Sequence, residues 1–400
     1  MTGPSGWRLK LGGSRATLIA NGVIHAVNDG YVAGIFPVLP LIAEEFHASY
    51  AEAGLVKLGL SGALGAFELP AGLLAERIGE VTVLAAGTVG LAGGFLALGL
   101  VAAFWQVVAL AALGGMAAAG QHPISSSLVA RAYQGRARGT AIGTLNFTGD
   151  VGKAIMPLVW GWLAVVVGWR QAMVWCGLAG LPLVVGFIAL SRLARTEQPL
   201  AHTETAGSSG WGILDVRRFA VLTLVGVLDS IVRGGALTLL AFLLVGKGLD
   251  TPAVASLFTV VFVFGALGKF GCGPLGARFG TVGVVALTEL ATALTVVAFV
   301  PAPPVALFVL AGVFGFFLNG TSSVLYAAVA ELVDISRHAR GYALYYTATL
   351  VASAIAPVVY GAIADQIGLN LTFGLMAATA AATVPLALLL RRPASIAGAT

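Results

Sequence analysis

The chain has 400 residues, of which 58% are hydrophobic and 10% charged, with a mean hydropathy of +0.95. Soluble domains are nearer a quarter charged, so this composition excludes a water-soluble globular protein and points to a bilayer protein. The net charge of +5 is spread between apolar runs instead of forming the patch nucleic acid requires, and Cys176 and Cys272 lie inside such runs, which excludes a disulfide or metal framework.

About 20 apolar residues cross a bilayer as a helix. On that measure the first half predicts spans over 17–42, 51–75, 81–102, 104–130, 139–167 and 170–192. The first carries His25, Asn28 and Asp29, too polar for the core of a cleavable signal sequence. His25 and Asp29 are four residues apart and share a helical face, so they form either a proton site or a polar pair steadying the bend near Pro37 and Pro40. In the second span, Lys57 is expected to snorkel to the outer surface, while Glu68 lies at membrane depth. The fourth contains His122-Pro123, where proline frees a backbone carbonyl to line a cavity. The fifth places Asp150 and Lys153 on one face.

Arg192 to Arg218 is the only long polar stretch and reads as a linker, dividing the chain into 1–193, 194–217 and 218–400. The second half predicts spans over 218–246, 252–277, 281–300, 303–333, 340–363 and 370–390. Asp229 and Arg233 sit four apart in the seventh span, as a substrate or coupling site or as a self-neutralising pair. Lys269 lies in the eighth, at the repeat position of Glu68; with Asp150 these two residues are candidates for gating ion pairs between spans five and eight. Glu289 stands alone in the ninth span, expected at the periphery, with no role assigned. A charge at a helix centre costs on the order of 2.5–3.5 kcal/mol on insertion scales, so each of these residues is a functional candidate.

The two halves repeat. Gly72-Leu73-Leu74-Ala75-Glu76-Arg77-Ile78-Gly79 recurs as Gly273-Pro274-Leu275-Gly276-Ala277-Arg278-Phe279-Gly280, Asp29 as Asp229, Arg138-Gly139 as Arg340-Gly341, and Pro157 as Pro357. Duplicated bundles of spans are how alternating-access carriers build a central site. Arg8, Lys10, Arg15, Arg77, Arg131, Arg192, Arg278 and Arg340 fall on one side, whereas the other has Arg170 and Lys247 among Glu44, Glu45, Asp250 and Asp365. The positive-inside rule then predicts cytoplasmic termini and linker. The 54 glycines are expected to let helix backbones approach closely.

Gly72, Glu76, Arg77 and Gly79 resemble the Gly-x-Leu-Ala-Asp-Arg-x-Gly signature of the major facilitator superfamily, with Glu76 in place of aspartate and Ala277 replacing the acid in the second copy beside Arg278. Together with the span count and repeat, the resemblance covers essentially the whole chain and implies an all-α fold of twelve transmembrane helices in two pseudo-symmetric six-helix bundles. Within that family, His25-Ala26-Val27-Asn28-Asp29 with Phe36-Pro37-Val38-Leu39-Pro40-Leu41, and His122-Pro123 with Ser126 and Val129-Ala130-Arg131, are similar to the first and fourth spans of fosmidomycin-resistance-type exporters. The acid those exporters carry after His-Pro is Ile124 here.

The resulting expectation is a monomeric plasma-membrane carrier of a small anionic or zwitterionic solute in a bacterium, without a cofactor or a metal, exporting in exchange for protons. His25, Asp29 and Asp229 are the expected proton-coupling residues, and Asn28, His122, Lys153 and Arg233 the expected substrate ligands. The rival of the same fold is a proton symporter importing an organic or inorganic anion. An intramembrane enzyme finds no support in a Gly-x-Ser-x-Gly elbow or metal-type histidine spacing, and no signalling domain supports a receptor.

Overall fold

The computed structural model describes residues 13–194, 211–334 and 337–390. Of the expected linker, 195–210 lies outside the described residues, as do Arg8, Lys10, Arg195, Arg391 and Arg392. Among the described residues there are twelve helices long and apolar enough to cross a membrane. They are α1 (Gly13–Glu45), α2 (Tyr50–Ile78), α3 (Glu80–Leu98), α4 (Phe104–Ala132), α5 (Gly135–Val167), α6 (Trp169–Ala194), α7 (Val216–Gly246), α8 (Thr251–Phe279), α9 (Thr281–Ala298), α10 (Pro304–Leu332), α11 (His338–Ile367) and α12 (Leu369–Leu388). The fold is all-α, and the one β-bridge among the described residues pairs Ile213 with Val333 ahead of α7.

Four of the connections are single residues. Gly79, Gly168, Gly280 and Gly368 join α2–α3, α5–α6, α8–α9 and α11–α12 with φ of +94°, +81°, +80° and +84°. A side chain is rarely found in that left-handed region, so glycine is what permits a corner this tight. The corners occupy equivalent places in the two halves.

Two helix pairs form the spine of the molecule, α1 with α5 and α7 with α11. On α1, Gly30 and Gly34 accommodate Met156 and Trp160, and Gly152 on α5 lies directly against the carbonyl of Ala26. On α7, Gly226, Gly234 and Gly235 do the same for Tyr345, Ser353 and Tyr360. Lipid gives no hydrophobic drive for helices to associate, so close backbone contact of this kind supplies the attraction.

The two halves meet through α5–α8 and α2–α11, mainly at the face that carries Glu45, Asp250 and Asp365. There a β-carbon on Gly54 would lie 2.6 Å from the carbonyl carbon of Pro357, and Gly161 and Gly361 abut Ala255 and Tyr50. The Phe36 and Phe258 rings stack across the same seam with centroids 5.5 Å apart. At the opposite face, which carries Arg77, Arg131 and Arg278, a β-carbon on Gly72, Gly139, Gly143 or Gly273 would meet nothing within 4 Å. The halves are therefore pressed together at the acidic face and parted at the basic one.

One polar contact ties that seam. The carboxylate of Asp365, at the end of α11, accepts hydrogen bonds from the Tyr50 and Ala51 amides at 2.8 and 3.1 Å. These are the unpaired first-turn donors of α2, where a negative charge is also favoured by the helix dipole. Removing a charge-assisted contact worth about 1–2 kcal/mol shifts a two-state balance about 5- to 30-fold. Asp365→Ala should therefore enrich the form with parted acidic ends, read by spin-label distances between positions 48 and 370 with Cys176 and Cys272 replaced.

Candidate functional site

Six ionisable side chains from four helices meet at mid-membrane. Asp29 of α1 is the hub: Lys153 Nζ lies 2.7 Å from Oδ2, His25 Nε2 lies 3.4 Å from Oδ2, and His122 Nε2 lies 3.5 Å from Oδ1. The Lys153 ammonium also stands 3.7 Å from Asp150, and Lys269 of α8 donates to both Asp150 oxygens at 2.7 and 2.9 Å. Local structure explains the convergence. The i,i+4 spacing puts His25 and Asp29 on one face of α1, the i,i+3 spacing puts Asp150 and Lys153 on one face of α5, and Gly152 brings the two faces together. Around residues 119 and 120 α4 is interrupted, just before Gln121-His122-Pro123, so the imidazole of His122 projects towards α1.

Burial grades across the cluster. The side chain of Asp29 is 7% exposed, whereas His122, Lys153 and Lys269 are 43%, 30% and 36% exposed although they stand mid-helix. With the halves parted at the basic face, this gradient puts His122, Lys153 and Lys269 on the opening between them and Asp29 at its buried end.

In the second half, Arg233 holds Asp229 at 2.9 and 3.3 Å and also donates to Asn319 at 2.9 Å and to the Leu318 carbonyl at 2.7 Å. Asp229 thus occupies the place of Asp29 in α7, but its ion-pair partner is Arg233 of the same helix, itself held by α10, whereas Asp29 also draws partners from α4 and α5.

Several expectations need correcting. Asn28 donates to the Ile24 carbonyl, Thr88 and Gln121 at 2.8, 3.0 and 3.2 Å, and is buried. It joins α1, α3 and α4 and does not face the cavity. Glu68 takes no part in the α5–α8 ion pair. Its stretch of α2 packs on α4 and α11, which keeps it away from Asp150 and Lys269. Lys57 does not snorkel: its ammonium lies 4.8 Å over the Phe36 ring, within electrostatic reach of Asp29 and Lys153. A π-helical turn at Leu58–Gly62 follows it, a local register change of the kind common at functional sites. Glu289 is not peripheral but buried, next to Asp229.

The glycine-arginine motif resolves differently from its sequence. Glu76 and Arg77 are exposed, Arg278 stacks on Phe279, and Gly72 has open space around it, while Gly79 forms the corner. The acid that makes an ion pair is Glu80, one residue further on, which binds Arg131 at the end of α4. Arg131 is in turn held by Ser127 at 2.8 Å.

Sequence reasoning missed Gly149 and Gly180. A β-carbon on Gly149 would strike Asp29 and His25, and one on Gly180 would strike the Tyr31 hydroxyl, which bonds the Cys176 carbonyl. No spacing rule in a single chain reveals such contacts. His25, Asp29 and His122 do bring three ligand-type atoms within 4.8 Å of one another, although nothing in their spacing announced it. The ammonium of Lys153 on Asp29 supplies the positive charge there and opposes a divalent cation, so the cluster fits a proton better than a metal.

Two bundles of membrane helices around a charged central cavity, open at one face and sealed at the other, define a membrane transporter. The family model described as Major Facilitator Superfamily matches residues 22–250 and 222–399, and the chain belongs to that family. It is 21% identical over 362 residues to an uncharacterised transporter of the same family from Methanocaldococcus jannaschii, covering 84% of this chain and 88% of that protein. The fosmidomycin resistance protein of Escherichia coli K12 is 27% identical over 168 residues, 42% of this chain and 41% of that protein. Among solved structures, a bacterial homolog of the human lysosomal transporter Spinster, inward-facing and unoccupied, superposes with a TM-score of 0.72 at 17% identity, over 94% of this chain and 95% of that one.

If Gly149 is required by the Asp29 carboxylate, Gly149→Ala should retain the fold yet lower transport at least tenfold in proteoliposomes. Gly143→Ala, on the same helix with open space around it, should leave transport within about twofold of the parent.

Proposed function

We propose that this transporter is a proton-coupled exporter of a small anionic or zwitterionic solute, working by alternating access, with Asp29 as the group that exchanges its proton. The observation that carries this reading is the Asp29 cluster: one buried carboxylate, two imidazoles and an ammonium at the closed end of a water-accessible cavity. With Arg77, Arg131 and Arg278 on the cytoplasmic side, the conformation described is inward-open. Lys153, Lys269 and Arg233 supply cationic groups for the cargo's anionic end, with the His122 imidazole beside Asp29. A zwitterion's ammonium competes with the proton for Asp29, and competition for one group is what exchange requires. The similarity to a fosmidomycin resistance protein supports export.

In this cycle Lys269–Asp150 acts as a gate. The pair bridges the halves in the inward-open form, and opening the acidic face requires α5 and α8 to move on one another. The two halves would rock as 1–193 and 218–400, joined by 194–217.

One observation favours symport as the second reading. Lys153 neutralises Asp29 at 2.7 Å, so a purely anionic cargo that drew Lys153 away would leave Asp29 in need of a proton, and cargo and proton would then bind together.

A single experiment separates the readings. Proteoliposomes containing an internal pH dye are given phosphonates, organic acids or amino-acid-like zwitterions outside, without a membrane voltage. Exchange makes the lumen alkaline as cargo enters, whereas symport makes it acid. Asp29→Asn should abolish either signal while leaving counterflow of labelled cargo measurable. Proton movement that survives in Asp29→Asn would remove Asp29 from the mechanism.

A further inference from the structure

Of the three buried acids among the described residues, Asp29 and Asp229 are held in ion pairs and Glu289 is not. It lies midway along α9, is 1% exposed, and neither carboxylate oxygen meets a hydrogen-bond donor. Its carboxyl group faces that of Asp229 within hydrogen-bonding reach, with Thr383 of α12 beside it. The Thr383 hydroxyl is already committed to the Ala380 carbonyl, and Thr288 and Thr321 bond each other between α9 and α10.

The charges nearby are accounted for. From α7 come Asp229 and Arg233, and the guanidinium points its donors at Asp229, Asn319 and the Leu318 carbonyl. Tyr326 of α10 and Tyr345 of α11 lie near Asp229 and Arg233. On α8, Lys269 is engaged by Asp150 and Arg278 lies over Phe279. One guanidinium thus faces two carboxyl groups, and it bonds only one of them. An ionised carboxylate at the other position would have no donor and would have to share its one counter-charge with Asp229, in surroundings that punish both shortfalls. A proton between the two oxygens supplies the missing donor, as it does wherever two carboxyls share a site.

We infer that Glu289 and Asp229 share one proton in the inward-open state, forming a second proton-binding site in the C-terminal half, separate from Asp29. Glu289 is the protonated member and donates to Asp229, which Arg233 holds from the other side. An anion that drew Arg233 into the cavity would leave the shared proton as the only counter-charge of Asp229, so loading of the C-terminal half and retention of its proton reinforce each other. This step rests on the transport reading, but protonation itself is measured without transport, so one can fail while the other stands.

The test is infrared difference spectroscopy on the full chain in lipid near neutral pH. A protonated carboxylic acid gives a C=O band, clear of the amide bands, that moves to lower frequency in heavy water. The parent should show such a band, Asp29→Asn should retain it, and Glu289→Gln should lose it. Asp229→Asn, which keeps Glu289 but changes its acceptor, should shift the band rather than delete it. A parent without the band, or a band that survives Glu289→Gln, overturns the assignment. A band unmoved by Asp229→Asn overturns the sharing.

Discussion

The contact on which the central site depends involves no charge. Gly152 of α5 lies against the Ala26 carbonyl of α1, and at that separation no β-carbon fits between the two backbones. Only because the helices run this close does Lys153, the next residue, reach Asp29, three residues beyond Ala26. A larger residue at 152 would push α5 outward by roughly the width of a methyl group, and Asp29 would keep its place in the membrane without its counter-charge. The electrostatics of the cavity are therefore set by packing.

The halves repeat in architecture but have diverged in charge. Glycine corners, spine pairs and crossing points correspond, and so do Asp29 and Asp229. Their surroundings do not. Asp29 is ringed by two imidazoles and an ammonium, while Asp229 is clamped by an arginine that stays charged under all physiological conditions. The acidic face shows the same divergence: Arg170 of α6 donates to the Val101 carbonyl beyond α3, and Lys247 beside α7 donates to the Val300 and Ala302 carbonyls beyond α9. Equivalent carbonyls are thus capped by cations from helices that are not equivalent.

Much of this organisation was legible in the sequence, because membrane depth makes charge conspicuous. Asp29, His25, Lys153 and Asp150 could be picked out by spacing along single helices, and the span count followed from apolar length. What could not be read was how each helix is rotated about its axis. Asn28 sits one residue from Asp29 and turns away from the cavity into α3 and α4. A π turn after Lys57 defeats the expectation of simple snorkelling. Glu289 was visible as a charge, but its neighbour Asp229 lies far earlier in the chain on another helix, and a single chain carries no record of that pairing.

The four one-residue corners have a mechanical consequence. A hinge needs several backbone torsions that can change together, and a lone left-handed glycine between two helices has none to spare. The pairs α2–α3, α5–α6, α8–α9 and α11–α12 each behave as a stiff V. The helices that carry most of the seam, α2, α5, α8 and α11, each belong to one of them. Any sliding at the seam is therefore delivered at once to α3, α6, α9 and α12, and Glu289 rides on one of these levers.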